Sequence, residues 1–255
     1  MTYDKVIDIV KSTKSIVFDD TLRNNMQLKG YADFVTAVDI GISNYLKSEL
    51  KKLYPDYGFF SEEEESCLSD PCWILDPIDG TTNLVYGYKQ CAVSLGLYKD
   101  GEIVFGIVYN PFTDECFYAY KGFGAYMNGE KLNVSERTFK DSLVEFGASS
   151  YFKENTNENF DLAKIIFTQV VDLRRICSAA LTLCYIAQGR IDGYFEKVLK
   201  PWDYAAGSLI LTEAGGILSD YTGSSIRYNS PTTMIAGNKY TQKELLKIIK
   251  DFYKI

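Results

Sequence analysis

A chain of 255 residues, 46% hydrophobic, is long enough to bury a sizeable core and too apolar to be disordered. Its net charge of −7 and sequence pI of about 4.8 argue against a nucleic-acid backbone or an anionic membrane as main partner, but not against a small phosphorylated substrate held with a metal ion. The absence of histidine excludes Ser-His-Asp and Cys-His catalysis and imidazole zinc sites, leaving acid–base work to carboxylates, Lys, Tyr, Cys or metal-activated water. The six cysteines (Cys67, Cys72, Cys91, Cys116, Cys177 and Cys184) contain no CxxC pair, and the first residues lack a signal pattern. Reduced, mostly buried thiols in a cytoplasmic protein are therefore expected. No apolar run approaches the ~18 residues that span a bilayer.

Val6, Ile9 and Val10, continued by Ile16 and Val17, give helical spacing near the N-terminus. Asp19 to Gly30 is polar and aperiodic and is read as a loop. Asp33 to Leu53 is the strongest predicted helix, with Phe34, Val38, Ile42, Tyr45, Leu46, Leu50 and Leu53 at spacings of three and four, and Tyr54-Pro55 ends it. Thr36, Asp39 and Ser43 share another line of that helix, an arrangement that suits a solvated face as well as a site. Tyr57 to Ser61 reads as a short strand. The acidic run Glu62-Glu63-Glu64-Glu65 follows, a solvated loop unless one or two of its carboxylates are ligands.

The chain is organised around Trp73 to Asn83, WILDPIDGTTN. The apolar Trp73-Ile74-Leu75 is a buried strand end, and the strand pairing is expected to stop at Pro77. Asp76 and Asp79 leave the strand three residues apart. Gly80 permits close backbone approach, and Thr81 and Thr82 open a helix. Read alone, such a corner fits a turn and a helix cap; it equally fits Mg²⁺ and phosphate held together by oxygen anions and backbone N–H groups.

From Cys91 to Leu132 an antiparallel meander is expected, with Asp100-Gly101 and Asn128-Gly129 as turns. Ser135 to Ser142 separates an N-terminal lobe, about 1–138, from a C-terminal lobe, about 139–255. In the latter, strands at Leu143–Gly147, Val171–Arg175, Ile191–Glu196 and Met234–Ala236 alternate with helices at Phe160–Val170, Ser178–Gln188, Tyr204–Ala214 and Gln242–Tyr253. Pro201-Trp202-Asp203 opens the third of these helices. Asp203 suits a simple cap, but the Ala205-Ala206-Gly207 that follows suits the close packing of an element that brings a carboxylate to a shared site.

Taken together these motifs resemble the inositol monophosphatase family of Mg²⁺-dependent, lithium-sensitive sugar-phosphate phosphatases. WILDPIDGTTN is similar to the family's first signature, and PWDYAAGSLILTEAGG (Pro201 to Gly216) to its second. DFVTAVD (Asp33 to Asp39), Ser61 to Glu63, and Arg174 to Glu196 match landmarks between them, so the resemblance covers nearly the whole chain. It implies a mixed α+β and α/β fold, the layered αβαβα sandwich of the sugar phosphatases, and a homodimer.

Carried over residue by residue, the resemblance places metal ligands at Glu62, Asp76, Asp79 and Asp203, with Ile78 contributing its backbone carbonyl. Glu62 is assigned by counting from Tyr54-Pro55. Asp39, Glu62 and Thr81 match catalytic positions, Asp39 and Thr81 acting on the nucleophilic water. Gly80 and Thr81 match the phosphate cradle, and Ser178, Ala179, Glu196 and Asp203 positions near the substrate alcohol. Two or three Mg²⁺ ions per site are implied. The implied reaction is hydrolysis of an inositol phosphate or a related sugar or polyol phosphate, with no covalent phosphoenzyme.

Alternatives within the family are phosphatases of fructose 1,6-bisphosphate, of 3′-phosphoadenosine 5′-phosphate and of histidinol phosphate; DGTTN favours the inositol branch over the nucleotide branch. A different class of reading is a regulatory binding partner with secondary catalysis. Three departures stand out. Cys177 occupies a position where many members have Gly, Tyr86 replaces a frequent His, and Thr182 replaces an acid common in bacterial members.

Overall fold

The computed structural model of the chain describes residues 3–23, 26–30, 33–64, 66–148 and 153–255. Helices α1 (Asp4–Ser12), α2 (Lys14–Val17) and α3 (Asp20–Arg23) precede an antiparallel ribbon of β1 (Met26–Gly30) and β2 (Asp33–Thr36), which leads into the long helix α4 (Ala37–Leu53). Two expectations change here. Asp19 to Gly30 is not a loop but contributes α3 and β1; its Asn24 and Asn25 lie outside the described residues. Asp33 to Leu53 is not one helix, because its first four residues form β2.

The reason is a capping box. Thr36 is extended (φ −113°, ψ 161°), its hydroxyl accepts from the N–H groups of Val38 and Asp39, and Asp39 accepts from the Thr36 N–H. The helix cannot propagate back through a residue so held. Phe34 fell into the helical pattern because a spacing of four also fits the alternation of a strand.

A seven-stranded sheet follows in the order β3 (Gly58–Ser61), β4 (Cys72–Asp79), β5 (Ala92–Lys99), β6 (Glu102–Asn110), β7 (Glu115–Tyr120), β8 (Gly124–Met127) and β9 (Glu130–Lys131). It is antiparallel except between β3 and β4. The short helix α5 (Thr81–Val85) leaves the end of β4. Asp100 and Gly101 take positive φ at the predicted β5–β6 turn, as do Asn128 and Gly129 between β8 and β9.

The second sheet has the order β11 (Asp172–Arg174), β10 (Leu143–Phe146), β12 (Gly193–Leu199), β14 (Thr232–Gly237) and β13 (Ile217–Ser219). Its helices are α6 (Thr156–Phe167), α7 (Ala179–Ala187), α8 (Pro201–Glu213) and α9 (Lys239–Tyr253). Strand β13 has no counterpart among the predicted elements; three residues, Ile-Leu-Ser, carry too little alternation to signal one.

Strand alternation sorts the side chains into layers. Trp73, Leu75, Ile107 and Tyr109 pack with Val6, Val10, Ile42 and Leu46 of α1 and α4. Their neighbours Ile74 and Val108 face α7 and α8, as do Tyr194, Met234 and Ala236 of the second sheet. Phe195 and Ile235 point the other way, onto Leu162, Ile166, Leu245 and Ile249 of α6 and α9. The result is the expected αβαβα sandwich, with α7 and α8 buried between the sheets. All nine residues of α7 are buried.

Close contact between α8 and the first sheet depends on glycine. A Cβ on Gly106 would lie 2.7 Å from the carbonyl oxygen of Ala206. This approach fixes the helix that starts with Pro201-Trp202-Asp203 against the sheet that ends with Asp79. No helix is long and apolar enough to cross a membrane among the described residues.

Candidate active site

Strand β4 does not stop at Pro77. Its pairing with β5 runs Asp76 to Ser94 and then Asp79 to Ala92, three steps against two, so Pro77 sits in a bulge where its missing N–H breaks no ladder. In an unbroken strand residues three apart face opposite sides. The extra residue lets Asp76 and Asp79 line the same cavity, at 2% and 8% exposure. Gly80 then turns the chain at φ +94°, a left-handed conformation, where a Cβ would lie 3.0 Å from the Gln90 carbonyl oxygen and 3.2 Å from that of Cys177.

The cavity, of about 310 Å³, lies where the first sheet, α7, α8 and the second sheet meet. Glu62, Asp76, Ile78, Asp79, Gly80, Thr81, Ser178, Ala179, Glu196 and Asp203 all line it. Asp39 is buried just behind: the Thr81 hydroxyl lies 3.1 Å from Asp39 Oδ1 and 3.0 Å from the Ile78 carbonyl. The structure thus brings together every residue singled out from the sequence.

Each carboxylate is oriented by its own backbone or by a crossing helix. Asp76 Oδ1 accepts from the Ile78 N–H at 3.0 Å. Asp79 Oδ2 accepts from the Ser178 hydroxyl at 2.6 Å and from the Ala180 N–H at 2.7 Å, joining β4 to the start of α7 across about a hundred residues. Asp203 Oδ2 accepts from the Lys200 N–H at 2.7 Å, the cap anticipated for it. In the acidic run, Glu62 acts electrostatically on Asp76 and Asp203, and Glu63 on Asp39, while Glu64 pairs with Lys47 at 2.5 Å. Glu65 lies outside the described residues.

The four aspartates hold their protons more tightly than usual. Burial raises Asp76 well above the ordinary value, and Glu62, Asp79, Asp203 and Asp39 add repulsion. Asp203 is raised by desolvation and then by Asp79 and Glu62. Burial brings Asp39 to about 6; it also brings Asp79 to about 6, against the hydrogen bonds from Ser178 and Ala180. The charges that shift Asp76 and Asp203 are all carboxylates. Buried like charges repel one another, and a cation entering among them favours their ionised form.

The donors suit a hard divalent ion, being oxygen throughout. Among the described residues no three acidic or cysteine side chains form a closed metal cage. Mg²⁺ does not need one, since it retains several waters and takes few carboxylates together with substrate phosphate.

Several positions at the cavity are not legible in the sequence. Asn83, the last residue of the first signature, donates to the Gln90 carbonyl at 2.6 Å and to the Ile176 carbonyl at 2.8 Å, tying α5 to the turn before α7. Glu145 lines the cavity from the middle of β10; a carboxylate in the apolar run Leu143–Phe146 was the available signal. Tyr194 donates its hydroxyl to Glu196, and Lys153 and Arg175 line the cavity as its basic side chains together with Lys200. Cys177 lies on the same wall at φ +63°.

The layered fold and the oxygen-lined cavity between its sheets define a phosphoric monoester hydrolase of the sugar-phosphatase class. The chain belongs to the inositol monophosphatase family, whose model matches residues 3–254. It is 37% identical over 247 residues to an inositol-1-monophosphatase of Mesorhizobium japonicum, covering 94% of this chain and 92% of that one. It is also 37% identical over 227 residues to the Escherichia coli protein named Nus factor SuhB, covering 88% of this chain and 85% of that one. The crystal structure of extragenic suppressor protein suhB from Bartonella henselae superposes with a TM-score of 0.89 at 33% identity, over 98% of both chains. The family uses divalent metal ions.

Proposed function

We propose that the protein hydrolyses small polyol or sugar phosphate monoesters, inositol monophosphate foremost, with Mg²⁺ as its ion and with sensitivity to lithium. The observation that carries this reading is the meeting of Glu62, Asp76, Asp79 and Asp203 around one cavity, where neighbouring carboxylates raise Asp76 and Asp203 by repulsion. These four, with the Ile78 carbonyl, would hold two or three ions. When bound, the ions supply positive charge for the phosphate and make water acidic enough to attack.

The chain's own groups do the rest. Thr81 Oγ1 and Asp39 Oδ1, 3.1 Å apart, orient the attacking water and receive its proton. Asp39 suits this role because burial keeps its carboxyl near 6, within reach of neutral pH. Backbone N–H groups of Gly80 and Thr81 hold the phosphate. Glu196, Ser178, Ala179 and Asp203, which line the same cavity, would meet the alcohol part of the substrate. A homodimer in the cytoplasm, without direct contact to nucleic acid or membrane, completes the proposal. The six free cysteines favour the reducing compartment, and the net charge of −7 the absence of nucleic-acid contact.

A second reading rests on the equal identity to Nus factor SuhB: a binding role in a macromolecular assembly, with hydrolysis secondary. If Asp79→Asn abolishes turnover yet a deletion strain carrying it grows as the wild type does, the binding role takes precedence.

The primary test is phosphate release by the purified protein with Mg²⁺ across inositol 1-phosphate, fructose 1,6-bisphosphate, glycerol 2-phosphate, 3′-phosphoadenosine 5′-phosphate and histidinol phosphate. Each is repeated with EDTA and with lithium. Turnover of inositol 1-phosphate that EDTA abolishes and lithium weakens is expected. A clear preference for another ester would replace the substrate, and no turnover of any would remove the phosphatase reading.

A further inference from the structure

Glu145 lines the cavity yet takes no part in the metal or water positions described above. Its neighbours Val144 and Phe146 pack toward α6 and α9, so strand alternation turns Glu145 toward the central helices. It is 2% exposed. One carboxylate oxygen, Oε1, accepts the Ile176 N–H in the turn that leads to Cys177 and Ser178. The other, Oε2, is buried and meets no donor at full hydrogen-bonding geometry, although the Cys177 N–H of the same turn also favours the ionised carboxyl. Such an oxygen is costly to bury and rare in folded proteins unless a ligand completes it.

Its surroundings narrow the ligand. Glu196 and Asp79 line the same cavity, so a phosphate oxygen beside Glu145 would meet negative charge. Arg174 and Arg175 already place positive charge near the carboxyl, which disfavours a second metal ion. A neutral hydroxyl fits either protonation state, donating to the carboxylate or accepting from the acid. That flexibility matters because burial raises Glu145 to about 7. Glu196 reaches the same cavity over Gly147: a Cβ there would lie 2.0 Å from Glu196 Oε2, so only glycine leaves space for that carboxylate.

We propose that Glu145 is a specificity-determining residue whose Oε2 hydrogen-bonds a hydroxyl of the substrate's alcohol part, one position away from the hydroxyl that meets Glu196. This deepens the phosphatase assignment and rests on it. The substrate class it selects is a phosphate monoester of a polyol with at least two free hydroxyls, over esters of plain alcohols.

The experiment compares kcat/KM for inositol 1-phosphate and for cyclohexyl phosphate, its hydroxyl-free counterpart, with Mg²⁺. The wild type, Glu145→Gln and Glu145→Asp are measured. Glutamine keeps an oxygen for the Ile176 N–H but replaces the free acceptor by a donor; aspartate keeps the charge but withdraws it by one methylene. The expected result is that the wild type prefers inositol 1-phosphate, and that both variants lose roughly 10-fold or more on it while changing less than about 2-fold on cyclohexyl phosphate. An equal loss on both esters would mean that Glu145 only positions the 176–178 turn, and no loss on either that it does nothing; both overturn the proposal. A wild type that hydrolyses both esters equally well overturns it too, leaving the phosphatase assignment standing. A wild type that hydrolyses neither removes both.

Discussion

The hydroxyl of Thr81 lies 3.1 Å from Oδ1 of Asp39, joining the first turn of α5 to the first turn of α4. The opposite oxygen of Asp39, Oδ2, is occupied by the Thr36 N–H at 2.9 Å, so the carboxylate is fixed in rotation as well as in place. The capping box that breaks the predicted Asp33 to Leu53 helix is therefore also the device that aims Asp39 at Thr81. Local structure and site chemistry share one set of hydrogen bonds.

Breaking this pair should slow the chemical step and leave substrate binding almost intact. Asp39→Asn and Thr81→Val are each expected to lower kcat by about 10²- to 10⁴-fold with little change in KM. Thr81→Ser, which keeps the hydroxyl, should retain most of the activity. Steady-state kinetics on the preferred ester decides this; a rise in KM at unchanged kcat would move both residues from water activation to binding.

The buried acids also make stability depend on pH in a definite direction. Burial raises Glu145 and Glu196 to about 7 and Asp39 to about 6, so the folded state keeps protons that the unfolded chain releases near pH 4 to 5. Their contribution is greatest at the acid end and is lost as pH rises through 6 to 7. Exposed acids with lowered values, such as Asp114 and Asp172, have the opposite sign, but they act at or below about pH 4. In EDTA the melting temperature should therefore fall between pH 5 and pH 8, and added Mg²⁺ should raise it more at pH 8 than at pH 5. A melting temperature in EDTA that rises across this range would contradict the burial argument.

Cys177 can be tested as a backbone position. At φ +63° it occupies the left-handed region, which disfavours a side chain by roughly 1–2 kcal/mol. Glycine there gives up a similar amount in chain entropy, about 0.5–1 kcal/mol. Cys177→Gly is thus expected to be neutral or slightly stabilising, and Cys177→Val, which is β-branched, to lose about 1–2 kcal/mol. Urea unfolding midpoints would show it. This geometry also accounts for the glycine that the family resemblance places at this position.

What could be read from the sequence follows physical range. The turns at Asp100-Gly101 and Asn128-Gly129, the Ser178 cap and the Pro201 helix start are local, and each stands where its residues put it. Asp76, Asp79 and Asp203 are legible because two signatures carry them in order, and Asp39, Glu62 and Glu196 because they stand on landmarks between those signatures or just before them. Residues whose role is defined by a distant partner were not legible. Asn83 matters through the Ile176 carbonyl, 93 positions away, and Glu145 through the Ile176 N–H, 31 positions away. Strand β2 was missed because a spacing of four serves a strand as well as a helix, and the capping box that settles the matter looks like ordinary helix sequence.

The glycine contact under α8 should link folding to the site. A methyl on Gly106 would meet the Ala206 carbonyl at 2.7 Å, and backbone cannot yield as a flexible side chain can. Gly106→Ala is expected to cost about 1–3 kcal/mol by overpacking. Any helix shift that relieves it moves Asp203 away from Asp79, so activity at limiting Mg²⁺ should fall as well. Gly122→Ala is a useful comparison, since nothing lies within 4 Å of the added atom and its cost is the positive φ alone. Equal activity losses in the two variants would sever the proposed link between α8 packing and the site.

Ser178 offers the most direct test of how the ligands are held. Its hydroxyl donates to Asp79 Oδ2 at 2.6 Å and, with the Ala180 N–H at 2.7 Å, favours the ionised carboxylate against burial. Ser178→Ala removes one of these donors, together with the cap its hydroxyl gives the Leu181 N–H of α7, so Asp79 should hold its proton more tightly and compete less well for the ion. The half-saturating Mg²⁺ concentration is expected to rise about 10- to 100-fold, in the range found for groups that orient metal ligands. Saturating Mg²⁺ should recover most of kcat. If kcat stays low at every Mg²⁺ concentration while half-saturation is unchanged, Ser178 acts on the substrate rather than on Asp79, and the orientation argument fails.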